Sequence, residues 1–381
     1  MTYDDLRVED VRTFEELDKY SDEWDLLALD APQEHPVLTH AWISAYLKTS
    51  LNEGETWFCL FVFDNNAMVG VLPLLSRESG FLGKKYLLLS TPCHNHTRWV
   101  DFLFREEYAK RVIQLIAEYL NAMRPQVVRL ILDQVLCNSP TFDALEDGVH
   151  GMYSCRYVNN CASIIYTKGG YSDFKKKLSK SMIRNLRRFH NKFKKLGNYS
   201  VNVINSSSDA REDLLSFANI EQSGWKGKKG TAISYQDWKF YDEFTQNMGK
   251  KGWLEYYFLE TENRKIAGYL TIPFGRSVIV FKTGYDEKYH YVSPGSILTE
   301  KMIEHMFSTG KYENINFLTD YKWHSRWNME LKPYYKIVFA FNNPLSFFLT
   351  RLPYIIYSKF TPVRRIRTSI FRAIQIVSGK K

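Results

Sequence analysis

Apolar and polar positions follow two rhythms along this chain, and the rhythms come twice in the same order. Residues 6–11 alternate like a half-buried strand, and 13–29 space their apolar side chains three and four apart, as an amphipathic helix does. A second helix opens at Thr39, a good N-cap, and carries Trp42, Ile43, Tyr46 and Leu47. Strand-like runs at 56–63 and 67–75 flank Asp64-Asn65-Asn66, a hairpin signal, and further runs fall at 85–90 and 99–104. A helix over 106–123, a strand at 126–132, a short helix at 141–149 and a strand at 155–166 complete the series.

From Asn198 the order starts again, with a strand at 199–204, helices at 209–222 and 235–248, and strands at 253–260, 265–273 and 277–285. A helix over 295–307, a strand at 312–318, a short turn-helix segment and a strand at 335–341 follow. Even the hairpins correspond, 64–70 (DNNAMVG) with 261–268 (TENRKIAG). A repeat of this length predicts duplicated domains, here 1–170 and 198–342, with a linker at 171–197 and a tail at 343–381. In the linker, Leu178, Met182, Leu186, Phe189, Phe193 and Leu196 form an apolar stripe on a helix otherwise covered in Lys and Arg, suited to packing across the domain seam.

Length and composition agree: 381 residues, 45% of them hydrophobic, are enough for two cores. No window approaches the run of about 18 apolar residues a membrane span needs, and the acidic start lacks a secretory pattern, so a cytoplasmic location is expected. The five cysteines include no Cys-x-x-Cys pair and the histidines cluster only at His94 and His96, so no metal is expected. The net charge of +9 hides an asymmetry, because 331–381 holds ten Lys or Arg and 174–195 ten more, neither with any Asp or Glu. An acidic body thus carries two basic surfaces.

Two helices after the first strand, a three-strand meander, a helix and two last strands is an order that resembles the GNAT fold. The segments 178–188 (LSKSMIRNLRR), 224–232 (GWKGKKGTA), Tyr285-Asp286 with 293–298 (SPGSIL), and Tyr321-Lys322 with Arg326 narrow the likeness. Their order is similar to that of CelD-like (cellulose-biosynthesis) acetyltransferases, in the tandem-GNAT, FemABX-like group. The resemblance implies an α/β (α+β) protein of two GNAT-like domains, each a mixed, mostly antiparallel twisted sheet flanked by helices, the first degenerate and the second catalytic.

It further implies an acyl-CoA co-substrate, acetyl-CoA or longer, whose pyrophosphate lies on backbone N–H groups at a helix start, here Ser293, Gly295, Ser296, Ile297 and Leu298. The first copy has 99–107 (WVDFLFREE) at the corresponding place, and Glu106 and Glu107 would repel a pyrophosphate. Lys322, just past the fifth strand, is the implied catalytic residue, as general base or as electrostatic stabiliser of the oxyanion, with Tyr321 and Tyr285 as candidate proton donors to the thiolate. The Gly/Lys loop with Trp225 and Lys226 borders the acceptor cleft, as does Arg326. The stretch 93–101, with His94 and Asp101, is the first domain's candidate for acceptor contact.

The expected reaction is N-acylation of an amino sugar or related small-molecule or saccharide precursor of a surface polysaccharide. One alternative is a Fem-like transferase taking aminoacyl groups from tRNA, the one case in which nucleic acid is expected. The other is a non-catalytic assembly factor. In the tail, Phe347, Phe348, Leu349, Leu352, Tyr354, Ile355, Ile356, Tyr357 and Phe360 precede Arg364, Arg365, Arg367 and Arg372, a mixture suited to peripheral contact with an anionic inner membrane face.

Overall fold

The computed structural model describes residues 6–94, 96–206 and 210–360. The first series of strands runs β1 (Leu6–Val11), β2 (Glu55–Asp64), β3 (Ala67–Phe81), β4 (Lys84–Ser90), β5 (Leu103–Phe104), β6 (Gln126–Leu136) and β7 (Met152–Tyr166). The second runs β8 (Tyr199–Asn205), β9 (Glu255–Thr261), β10 (Arg264–Phe274), β11 (Ser277–Tyr285), β12 (Asn314–Asn316) and β13 (Glu330–Phe341). Central strands read as unbroken apolar runs because both faces are covered: in β2, Cys59 and Phe61 enter one core while Phe58, Leu60 and Val62 enter another.

Three expected elements differ. The helix expected over 13–29 is two, Phe14–Lys19 and Ser21–Asp30, broken where Tyr20 leaves helical geometry to donate its hydroxyl to Glu9 and rest on Phe61 and Phe63. The run at 99–104 pairs only as β5, because Trp99 sits at φ 68 and the chain turns inward. The strand at 312–318 is three residues long, for Leu318 also takes a left-handed turn.

Among the described residues the thirteen strands make one sheet, and apart from β5, which pairs β3, its order is β1-β2-β3-β4-β6-β13-β7-β12-β11-β10-β9-β8. The two halves exchange their last strands. β7 leaves the first half to pair antiparallel with β12, while β13 returns from the second half to pair with β6, and β7 and β13 lie side by side from Glu330↔Ile164 to Phe341↔Met152. Neither half therefore completes its sheet with its own final strand. The halves also meet through helices, where Trp42 of His40–Thr49 packs on Phe240 and Phe244 of Tyr235–Lys250 with ring centroids 6.1 and 4.7 Å away.

The linker forms helices Tyr171–Lys177 and Lys180–Leu196, with Met182, Leu186 and Phe193 buried along the predicted stripe. Ser179 caps the second by accepting from the Met182 amide. The tail turns helical after Asn343 and is tied to β6, since Ser346 and Thr350 both donate to the Val128 carbonyl, at 2.6 and 3.2 Å. The arginine-rich stretch after Pro362 lies outside the described residues. Among them, no helix is long and apolar enough to cross a membrane, and no group of three or more His, Cys, Asp or Glu is placed to hold a metal.

Candidate active site

The site follows from one break in the sheet. β11 pairs in parallel with β12 only over Ser277–Ile279; from there to Tyr285 this edge is open while the other stays paired with β10. A register slip opposite Leu270 and Thr271 bulges it at Phe281. Two cavities open in sequence along this open edge, of about 590 Å³ beside Val280 to Thr283 and about 410 Å³ beside Thr283 to Tyr285. Lys226, Thr283, Tyr321 and Trp323 line both.

The smaller cavity reaches the start of the 16-residue helix Pro294–Thr309. Ser293, its N-cap, is left-handed at φ 58 and ψ 56, which bends the chain so that the first helical turn faces the cavity. Pro294 at the first position has no N–H to leave orphaned. Gly295 keeps the approach open, as a Cβ there would point toward Tyr285 Cδ1, 3.5 Å away. Met182, Trp225, Tyr285 and Trp327 add an apolar wall. The Ser296 and Ile297 amides turn back to the Ser293 carbonyl, at 3.0 and 3.3 Å, so the Gly295 N–H and the positive end of the helix dipole meet a slot with apolar sides, which suits a ligand with phosphates at one end and a chain at the other.

Between the cavities lies a buried ion cluster. The Glu221 side chain is wholly buried and receives Lys226 at 3.0 Å, Lys282 at 2.9 Å and the Ile233 amide at 2.9 Å. Gly284 makes this possible: a Cβ there would lie 3.1 Å from Glu221 Cα, so only glycine lets helix Ala210–Gln222 come this close to β11. Burial pushes the Glu221 carboxyl up, but the two lysines outweigh it and hold its pKa below the ordinary value. Burial lowers Lys282 despite Glu221. Lys226 also donates to the Thr283 carbonyl at 2.8 Å, pinning the edge of β11 where the cavities join.

Two histidines line the larger cavity. His96, from the first half, uses both ring nitrogens, toward Asp237 at 3.2 Å and the Tyr241 hydroxyl at 2.8 Å. His324 donates Nδ1–H to the Thr319 carbonyl at 3.0 Å, with the Ser163 hydroxyl 2.8 Å from the same nitrogen. That arrangement fixes the tautomer with the lone pair on Nε2, and among the described residues both hydrogen-bond partners of the ring lie at Nδ1. Burial holds its pKa down to about 4, so the ring is neutral at pH 7. Ser163 comes from β7, the strand the first half has exchanged.

The model of the acetyltransferase (GNAT) domain matches 180–327, from the linker helix through both cavities. This segment is similar to GNAT acetyltransferase domains. No curated protein matches the sequence. Among solved structures, that of FemX superposes with a TM-score of 0.62 at 10% identity, covering 90% of this chain and 99% of that one. A conserved protein of unknown function from Bacteroides thetaiotaomicron gives 0.54 at 13%, covering 85% and 97%. The C-terminal domain of a putative lysylphosphatidylglycerol synthetase from Agrobacterium fabrum gives 0.53 at 10%, covering 87% and 95%. At these identities the likeness is one of fold, and it extends over both halves. The comparisons do not single out the cellulose-biosynthesis branch.

Within the matched segment the structure gathers many of the residues singled out from sequence. Ser293, Gly295, Ser296, Trp225, Tyr285 and Arg326 line the smaller cavity, and Lys226 and Tyr321 line both. Burial raises the Tyr285 phenol, keeping it protonated. Ile297 and Leu298 instead turn fully buried side chains into the core. Lys322 is exposed and lines neither cavity, whereas its neighbour Tyr321, itself 51% exposed, lines both. Asp101 is likewise away from both, wholly buried in the first half with Ser139, Thr141 and the Phe102 amide at 2.5, 2.9 and 2.7 Å. His94 stands behind His96, accepting from the Thr97 and His96 amides and packed on Tyr46 and Phe240.

Sequence reasoning missed Glu221, Lys282 and His324. His324 lay inside the segment already singled out. Lys282 directly follows the apolar run 278–281 on a buried strand, and a charge there was the available signal, whereas Glu221 sits between Ile220 and Gln222 and carried none.

Proposed function

We propose that the protein is an acyl-CoA-dependent N-acyltransferase, holding the donor in the smaller cavity and an amine acceptor in the larger. The observation that carries this reading is the meeting of the cavities at Lys226, Thr283, Tyr321 and Trp323, with a helix N-terminus at the far end of one only. The donor fits these residues: the Gly295 N–H, the dipole of helix Pro294–Thr309 and the hydroxyls of Ser293 and Ser296 suit phosphates, and the apolar wall suits the chain that leads to a thioester. Acyl-CoA would supply an activated acyl group there. The residues' own work is to hold it, exclude water and manage charge.

Acyl transfer to an amine places negative charge on the carbonyl oxygen and leaves a proton on the nitrogen. Lys226, fixed between Glu221 and the Thr283 carbonyl, sets a positive charge at the junction without a side-chain search. His324 is the proton acceptor this geometry favours, since the Thr319 carbonyl holds its Nδ1–H and its Nε2 has no partner among the described residues. Tyr285 and Tyr321 are placed as hydroxyl donors on the thiol side. Incubation with acetyl-CoA and a panel of amino sugars and amines, followed by thiol release and product mass, tests the reading. Absence of both CoA binding and transfer would sink it.

A second reading, aminoacyl transfer from tRNA, has one feature in its favour: the helix that lends Met182 to the donor cavity turns Lys180, Arg184, Arg187, Arg188, Lys192, Lys194 and Lys195 outward. Retention of tRNA by the protein, with no CoA binding, would favour it. For the acceptor, the resemblance to polysaccharide-biosynthesis acetyltransferases supports an amino-sugar precursor. A place at an anionic membrane face is supported by the exposed Phe347, Phe348, Leu349 and Ile356.

A further inference from the structure

Arg98 enters the larger cavity from the loop that follows His96 in the first half. It is partly buried, and no carboxylate among the described residues lies within ion-pair distance of it. Its surroundings do not supply the missing anion. Glu221 is shared by Lys226 and Lys282, and Asp237 is engaged by His96 and by both the amide and hydroxyl of Ser234. The cavity and its floor thus set three cations against two committed carboxylates. A guanidinium held partly out of water without a counter-charge is costly, and its forked donors match a carboxylate or a phosphate.

We infer that the acceptor carries an anionic group, a carboxylate or a phosphate ester, which pairs with Arg98 while its amine faces the junction of the cavities. The inference rests on the reading of the larger cavity as the acceptor site. The first half then serves as the specificity wall of a site whose chemistry belongs to the second. Arg98 orients the acceptor and has no part in the bond changes.

Titration with inorganic phosphate and, separately, with acetate tests this in wild-type protein and in Arg98→Gln and Arg98→Lys, with CoA present so that the helix start is already occupied. The quantity read is the difference between wild type and Arg98→Gln. We expect a saturable site that weakens at least about tenfold in Arg98→Gln and is partly kept in Arg98→Lys. The anion bound more tightly tells phosphate from carboxylate. Equal binding by wild type and Arg98→Gln, or no saturable site in either, overturns the inference. If CoA does not bind, the transfer reading fails by itself, and the same difference measured on the free protein still decides Arg98.

Discussion

The Glu221 carboxylate holds the Lys282 ammonium at 2.9 Å in the floor between the two cavities, both side chains nearly or wholly buried. Neither charge would be tolerated alone at this depth, and the second lysine, Lys226, turns the pair into a three-membered cluster that leaves a positive charge at the junction.

Glu221→Gln is therefore expected to destabilise the protein by about 3–5 kcal/mol, the range for removing one member of a buried ion pair. Urea unfolding reads this directly. A loss below about 1 kcal/mol, the scale of an exposed pair, would mean water reaches the cluster.

Gly295→Ala should keep a CoA-induced rise in melting temperature, since its Cβ would meet Tyr285 at ordinary contact distance, whereas Gly295→Trp should abolish it by filling the space before the helix amides. An unchanged shift in the Trp variant places the donor elsewhere.

His324→Gln should lower turnover by about 10²- to 10⁴-fold with little change in CoA affinity, as expected for a positioned proton acceptor. Lys322→Ala, altering an exposed side chain outside both cavities, should stay within a few-fold of wild type. The reverse ranking would return the base or oxyanion role to Lys322.

Burial holds His35 and His94 at about 3 and His324 at about 4. The unfolded chain protonates these rings near pH 6.5 while the folded protein refuses the protons, so their contribution is complete above about 6.5 and is lost as pH falls toward 4. Each contributes a slope of up to ~1.4 kcal/mol per pH unit in that window. Asp101, raised by burial to about 6, acts oppositely and offsets one of the three below that pH. Unfolding free energy should fall on acidification from pH 6.5 to 5, and a flat profile would show that the rings are solvated.

Deletion of 361–381 should abolish salt-sensitive sedimentation with anionic liposomes and leave CoA binding intact, because the helical part of the tail stays anchored to Val128. Phe348→Ser should weaken sedimentation in part, this ring being 61% exposed. Equal sedimentation of full-length and shortened protein removes the membrane role.

The sequence by itself determined the order of elements, its repetition in the second half and the place of the helix Pro294–Thr309. Those features rest on periodicity, caps and turn residues, which act within a few residues of each other. The limits of β11 and the N-cap Thr39 were legible for that reason. Only the tertiary structure decided that β7 and β13 change places, because both alternate in the same way and the choice of neighbour lies in pairings 160 and more residues apart. The exchange brings Ser163 to His324. It was likewise packing, through the missing Cβ of Gly284, that set Glu221 against Lys282, and the path of the chain after Leu318 that lines both cavities with Tyr321 and neither with Lys322.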